Sequence, residues 1–120
     1  MPPMDRTVLV VDDDHAFRRL AAGMLGDAGY TVVAEAETVA GALAEAERAR
    51  PDAALVDIGL PDGDGFGLTE RLVALPWAPR VAIISSDADA ANGPAALQAG
   101  AVGFLPKDQL SASGLRELLG

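Results

Sequence analysis

The chain contains no cysteine, so disulfides and thiolate metal sites are excluded outright, as suits a reducing compartment. No apolar run approaches the ~20 residues needed to span a bilayer. The opening Met-Pro-Pro-Met-Asp-Arg also lacks the apolar stretch of a leader. We therefore expect a soluble cytoplasmic protein with no membrane role. Basic residues are scarce, with Lys+Arg 9 against Asp+Glu 18 for a formal charge of -9. No basic patch of any length exists, so direct nucleic-acid contact by this domain is not expected. Lysine is scarcest of all. Lys107 is the only one, and the other basic residues are all arginine, so this position stands out.

What is present is a chain of 120 residues, half of them hydrophobic. That is one domain, with enough apolar material for a real core and too much for disorder. We expect a single domain over residues 1–120, ordered from about 6 to 119 within the usual boundary error. Strand and helix patterns alternate five times along it, which predicts a parallel sheet with helices on both faces. Residues 7–11 are β-branched or leucine throughout, as in a strand buried on both faces. Phe17, Leu20, Ala21, Met24 and Leu25 follow at helical spacing with Arg18 and Arg19 facing away, and Gly29 ends that helix. A second strand at 31–34 leads to a helix capped by Thr38, with Val39, Ala42, Leu43 and Ala46 on its apolar side. Arg50-Pro51 stops it.

The third strand, 53–57, is followed by the turn Pro61-Asp62-Gly63-Asp64-Gly65 and a helix bearing Phe66, Leu68, Leu72 and Leu75. Pro76 and Pro79 bracket the return to a fourth strand at 81–85. Asn92-Gly93-Pro94 opens a short helix closed by Gly100, a fifth strand occupies 102–105, and Ser111 caps a last helix with Leu115, Leu118 and Leu119.

The strand ends carry the chemistry. The first leads into Asp12, Asp13 and Asp14, the third ends in Asp57, the fourth ends in Ser85, and Lys107 follows the fifth. In a parallel sheet these residues gather at the carboxyl edge, where open α/β folds place their sites. Clustered carboxylates, a hydroxyl and one ammonium suit a divalent cation and a phosphoryl group. Each residue also has an ordinary reading. Asp14 is best read as a cap of the first helix. Helix capping explains one member of the pair Asp12 and Asp13 well and the other poorly. Asp57 could end its strand as a turn residue, serine is common at strand ends, and Phe104 suits a core. His15 reads as solvated and Trp77 as surface packing. The segment from Asp62 to Gly67 imitates a calcium loop, but Phe66 and Val73 stand where oxygen ligands are required, so that reading fails.

Val-Val-Asp12-Asp13-Asp14, Asp57-Ile-Gly59-Leu-Pro61-Asp-Gly-Asp-Gly65, Ser85 and Gly103-Phe104-Leu-Pro-Lys107, in that order over essentially the whole chain, resemble the receiver domain of bacterial response regulators. The resemblance extends to stand-alone chemotaxis regulators. It implies a flavodoxin-like doubly wound five-stranded sheet of order 2-1-3-4-5 with five helices. It also implies phosphorylation on Asp57 by a histidine kinase or phosphotransfer protein in two-component signalling. Mg2+ would be held by Asp12, Asp13, Asp57 and the Gly59 carbonyl. Ser85 and Lys107 would bind phosphoryl oxygens, and Phe104 would turn inward as Ser85 draws its loop toward the site.

On this resemblance the domain signals rather than acting as an enzyme, beyond Mg2+-dependent self-phosphorylation and slow autodephosphorylation. One departure concerns the lysine. The family often has proline after it, whereas here Pro106 precedes and Asp108 follows. Gly59 and Asp87 flank the site where the phosphoryl lifetime would be tuned. Both a stand-alone regulator and a part of a longer DNA-binding regulator are open, with the downstream effector unidentified. Residues 90–101 carry no charge, which makes a homodimer through the last helices a further expectation.

A rival class shares part of the pattern. Phosphatases resembling haloacid dehalogenases also use a strand-end Asp-x-Asp, here Asp12 and Asp14, with a serine and a lysine on later strands and Asp12 as nucleophile. That class needs another acidic pair after the lysine, where only Asp108 stands.

Overall fold

The computed structural model describes residues 6–87 and 89–120. The N-terminal segment 1–5, read above as lacking a leader, and Ala88 lie outside the described residues. Ten elements alternate: β1 Arg6–Val11, α1 His15–Asp27, β2 Tyr30–Ala36, α2 Val39–Ala49, β3 Ala53–Asp57, α3 Gly65–Val73, β4 Arg80–Ser85, α4 Asn92–Gln98, β5 Gly103–Pro106 and α5 Ala112–Leu119. Every neighbouring pair in the main sheet is parallel, and the strand order is β2-β1-β3-β4-β5. This is the expected flavodoxin-like order. The chain reverses its winding direction between β1 and β3, so the crevice opens beyond their carboxyl ends.

Alternation of side chains along the strands builds two cores. Leu9 and Val11 of β1 face Ala42, Leu68 and Leu72 on the side of α2, α3 and α4. Val8 and Val10 face Ala21, Leu25 and Leu115 on the side of α1 and α5. All four β1 residues are fully buried, which is why the strand reads as an unbroken apolar run.

Helix ends follow local chemistry. Asp14, Thr38, Asp64 and Ser111 each accept a backbone N–H at the start of their helix. Gly29 (φ 96°) and Gly100 (φ 101°) occupy left-handed positions after α1 and α4, where a side chain would be strained. Three details depart from expectation. Leu75 lies beyond α3, a short antiparallel pair joins Gly59–Leu60 to Gly63–Asp64, and a 3-10 turn spans Lys107–Gln109. No described helix is long and apolar enough to cross a membrane.

Candidate functional site

The loop after β1 is pinned from several sides. Asp12 donates its N–H to the Ala36 carbonyl at the end of β2, 3.0 Å away. Its carboxylate Oδ1 accepts from the Asp14 N–H at 2.9 Å. Arg18 Nη1 donates to the Asp12 carbonyl at 2.6 Å while its Nε bonds Glu35 at 3.0 Å. Arg18 was expected to face away from the fold. Its side chain is instead only 12% exposed, because its long stem reaches back past the helix start to the Asp12 carbonyl. Arg19 is exposed, as expected.

β3 delivers Asp57 beside this loop, through the register that pairs Val11 with Val56. Carboxylate oxygens of Asp12, Asp13 and Asp57 all lie within 4.8 Å of one another. Asp12 is fully buried, Asp57 is 8% exposed and Asp13 is open to solvent. Lys107 arrives from the end of β5, an edge strand that tolerates Pro106 at its terminus. Its Nζ stands 2.7 Å from Asp12 Oδ2 and 3.7 Å from Asp57 Oδ2. The proline before it, extended at φ -61° and ψ 144°, therefore does not keep the ammonium from the acids. The face of the Phe17 ring lies 4.2 Å from the same nitrogen.

Charge at the site is held out of balance. Burial first, and then the neighbouring Asp12 carboxylate, raise the Asp57 carboxyl to about 6 against the opposing pull of Lys107. Asp12 Oδ2 is buried, and the Lys107 ammonium 2.7 Å away is its ion-pair partner. A buried anionic oxygen is costly unless a cation stands beside it, and here one ammonium is shared between the carboxylates of Asp12 and Asp57. The donor set is all carboxylate, which fits a hard divalent ion such as Mg2+ and not a thiolate- or imidazole-bound metal.

Ser85 ends β4 one position beyond Ile84, the partner of Asp57, and is 7% exposed. Its Oγ accepts from the Asp87 N–H at 3.0 Å, which ties it to its own loop. Gly59 is exposed in the short antiparallel pair after β3. Phe104 lies opposite Ile83 and packs on the core under α2, α3 and α4. Asp14 caps α1 through Oδ1, which accepts from Ala16 and Phe17, as read from the sequence. His15 is exposed, and Trp77 lies under the Arg50 guanidinium, 4.9 Å from its ring centroid and away from the acids.

Two further contributors were read in the sequence only as members of a turn and of the motif after Asp57. At Gly65 any Cβ would collide with the Asp57 carbonyl oxygen, and the Gly65 N–H donates to the Ile58 carbonyl at 2.7 Å. Asp62 reaches across to α2, accepting from the N–H groups of Val39 at 2.7 Å and Ala40 at 3.1 Å. With Asp64 accepting from Gly67 at 2.8 Å, both acids of the apparent calcium loop are used at helix starts.

Residues 8–119 match the response regulator receiver domain family, and the chain belongs to it. It is 39% identical over 102 residues to the DNA-binding transcriptional activator DevR/DosR of Mycobacterium tuberculosis, covering 84% of this chain and 47% of that protein. It is 39% identical over 100 residues to the KDP operon transcriptional regulatory protein KdpE of Escherichia coli, covering 83% and 44%. The chain thus spans about half the length of these curated relatives. A solved response regulator from Burkholderia pseudomallei, crystallised with a phosphorylated aspartic acid, calcium ion and citrate, superposes with a TM-score of 0.84. Its identity is 27%, over 97% of this chain and 67% of that one. The domain is therefore a signalling receiver of the two-component type.

Proposed function

We propose that Asp57 accepts a phosphoryl group from a histidine kinase or phosphotransfer protein, with Mg2+ held by Asp12, Asp13, Asp57 and the Gly59 carbonyl. One observation carries the reading: acids from two adjacent strand ends and the only lysine of the chain converge around the Asp57 carboxylate. A carboxylate attacks phosphorus when its repulsion for the incoming oxygens is cancelled. The cation supplies charge neutralisation and orientation when bound. An Oδ of Asp57 forms the bond to phosphorus as the donor's bond to phosphorus breaks, and the donor fragment leaves with that electron pair. Lys107 Nζ, 3.7 Å from Asp57 Oδ2, stands close enough to pair with a phosphoryl oxygen.

Ser85, whose Oγ accepts from the Asp87 N–H, would donate its own O–H to a second oxygen, pulling its loop inward, and Phe104 would turn toward the space vacated. The phosphorylated solved relative supports the class of chemistry. Self-phosphorylation from small donors and slow autodephosphorylation belong to the same proposal, as does a single receiver domain over residues 1–120. The uncharged α4 region, where Leu97 is 60% exposed, supports association between copies.

The test is incubation with acetyl phosphate and Mg2+, followed by intact-mass measurement. Wild type gains one phosphoryl group and Asp57→Asn gains none. Label retained by Asp57→Asn and lost by Asp12→Asn would move the acceptor to Asp12.

A further inference from the structure

We propose that Phe17 is a positioning residue for Lys107, its ring face fixing where the ammonium stands. The consequence for phosphorylation rests on the function proposed above; the placement does not.

The ammonium pairs with Asp12 Oδ2 at 2.7 Å and stands 4.2 Å from the centre of the Phe17 ring. A lysine stem has many rotamers and an ion pair has no strong direction, so charge alone would leave the ammonium loosely placed. A ring face attracts the cation and excludes water from one side of it.

The placement of that ring is itself determined. Asp12 Oδ1 accepts from the Asp14 N–H at 2.9 Å, and Asp14 Oδ1 accepts from the Phe17 N–H at 3.3 Å in the first turn of α1. Phe17 meets Lys107, and Lys107 returns to the other oxygen of Asp12. The four residues form a closed circuit, so the acid pair, the helix start and the lysine are located together. The ring is the one uncharged partner in it. Its hold on Lys107 persists when the charge on Asp12 is engaged elsewhere, keeping the ammonium within reach of Asp57.

Phe17 also packs against the core under α1 and α5, which by itself would explain an apolar residue there. Ring electron density separates the two roles, because fluorine weakens the attraction for a cation while barely changing size. Phenylalanines with one, two and three ring fluorines at position 17, together with Phe17→Tyr and Phe17→Leu, are compared in the full chain. The measurements are the NMR shifts of the Lys107 ε-protons, the labelling rate with acetyl phosphate and Mg2+, and the melting temperature.

We expect the ε-protons to show an upfield ring-current shift that Phe17→Tyr keeps and Phe17→Leu abolishes. Labelling should slow stepwise with fluorination at constant melting temperature, and by roughly fivefold to tenfold in Phe17→Leu, the rate equivalent of a partly desolvated cation–π contact. Lys107 shifts indifferent to Phe17→Leu, or labelling indifferent to fluorination, would overturn the proposal. A chain that takes no label, or keeps it in Asp57→Asn, would end the phosphoacceptor reading instead. The ε-proton shifts would still decide where Lys107 is held.

Discussion

Asp57 and Asp62 belong to the same connection between β3 and α3, yet their carboxyls are driven in opposite directions. Asp57 is buried against Asp12 and is pushed up to about 6. Asp62 lies in solvent, where the N–H groups of Val39 and Ala40 hold its carboxyl below the ordinary value of 3.8. The difference is one of partners. An acid facing unpaired helix N–H groups has its charge satisfied by the fold and contributes to stability. An acid facing other acids, with one shared ammonium, keeps charge that the fold alone does not neutralise, as the proposed phosphoacceptor role requires. Asp14 and Asp64 likewise accept from N–H groups at helix starts, whereas Asp12 lies in the acid cluster with Asp57.

The connection holds these two behaviours apart only because Gly65 lets the chain pass directly over the Asp57 carbonyl. Gly65→Ala is the change with the largest expected effect. Its Cβ would meet backbone that cannot step aside, which should lower the unfolding free energy by about 2–3 kcal/mol and shift Asp57 with it. Gly67→Ala, two residues on, would place its Cβ 3.7 Å from Asp64 Oδ1, an ordinary contact. Inside a helix it should be neutral or stabilising by up to about 1 kcal/mol. Urea midpoints of the two variants test this. Equal midpoints would show that the close approach at Gly65 does not matter.

Removing the unneutralised charge should have a smaller effect, of opposite sign. With a folded value of about 6 against 3.8 unfolded, the native protein binds the extra proton between those limits. The contribution of Asp57 is therefore fully favourable below 3.8 and is lost as pH rises through about 6. Above that, the ionised side chain carries a cost that solvent screening reduces to on the order of 1–2 kcal/mol. Asp57→Asn should accordingly stabilise the metal-free protein at about pH 7.5 and do little near pH 3.5. Added Mg2+ should stabilise wild type and narrow the gap. Thermal unfolding across that range, with and without Mg2+, checks it. Asp57→Asn less stable than wild type at the upper pH without metal would refute the account.

Much of this was legible in the sequence for identifiable reasons. Strands buried on both faces give unbroken apolar runs, helices give a 3.6-residue stripe, and a parallel sheet collects its strand-end residues at one edge. Hence Asp12, Asp13, Asp57 and Lys107 could be placed together before any coordinates. The rest depends on distances that periodicity does not encode. Gly65 looks like any turn glycine, because its constraint is a clash with a backbone atom of another residue. Arg18 lies on the outer side of a helical wheel, yet its length carries the guanidinium back to Asp12. Phe17 reads as core because nothing local to α1 reveals that Lys107 arrives above its ring.

Asp62 gives the smallest expected effect and the sharpest test of the opening contrast. Its contact with α2 joins residues 23 and 22 positions apart, so no capping motif announces it. Thr38 already caps that helix locally, accepting from the Gly41 N–H at 2.9 Å, so Asp62→Ala should leave α2 formed while leaving two N–H groups to water. The sign follows from the lowered carboxyl. The Asp62 contribution is present above 3.8 and is lost as pH falls through the lower folded value. Asp62→Ala should therefore lower the melting temperature near neutral pH and converge with wild type in acid. Asp57→Asn raises it near neutral pH and also converges in acid. If Asp62→Ala produced the same loss at both ends of the pH range, its carboxylate charge would not be what holds the loop to α2.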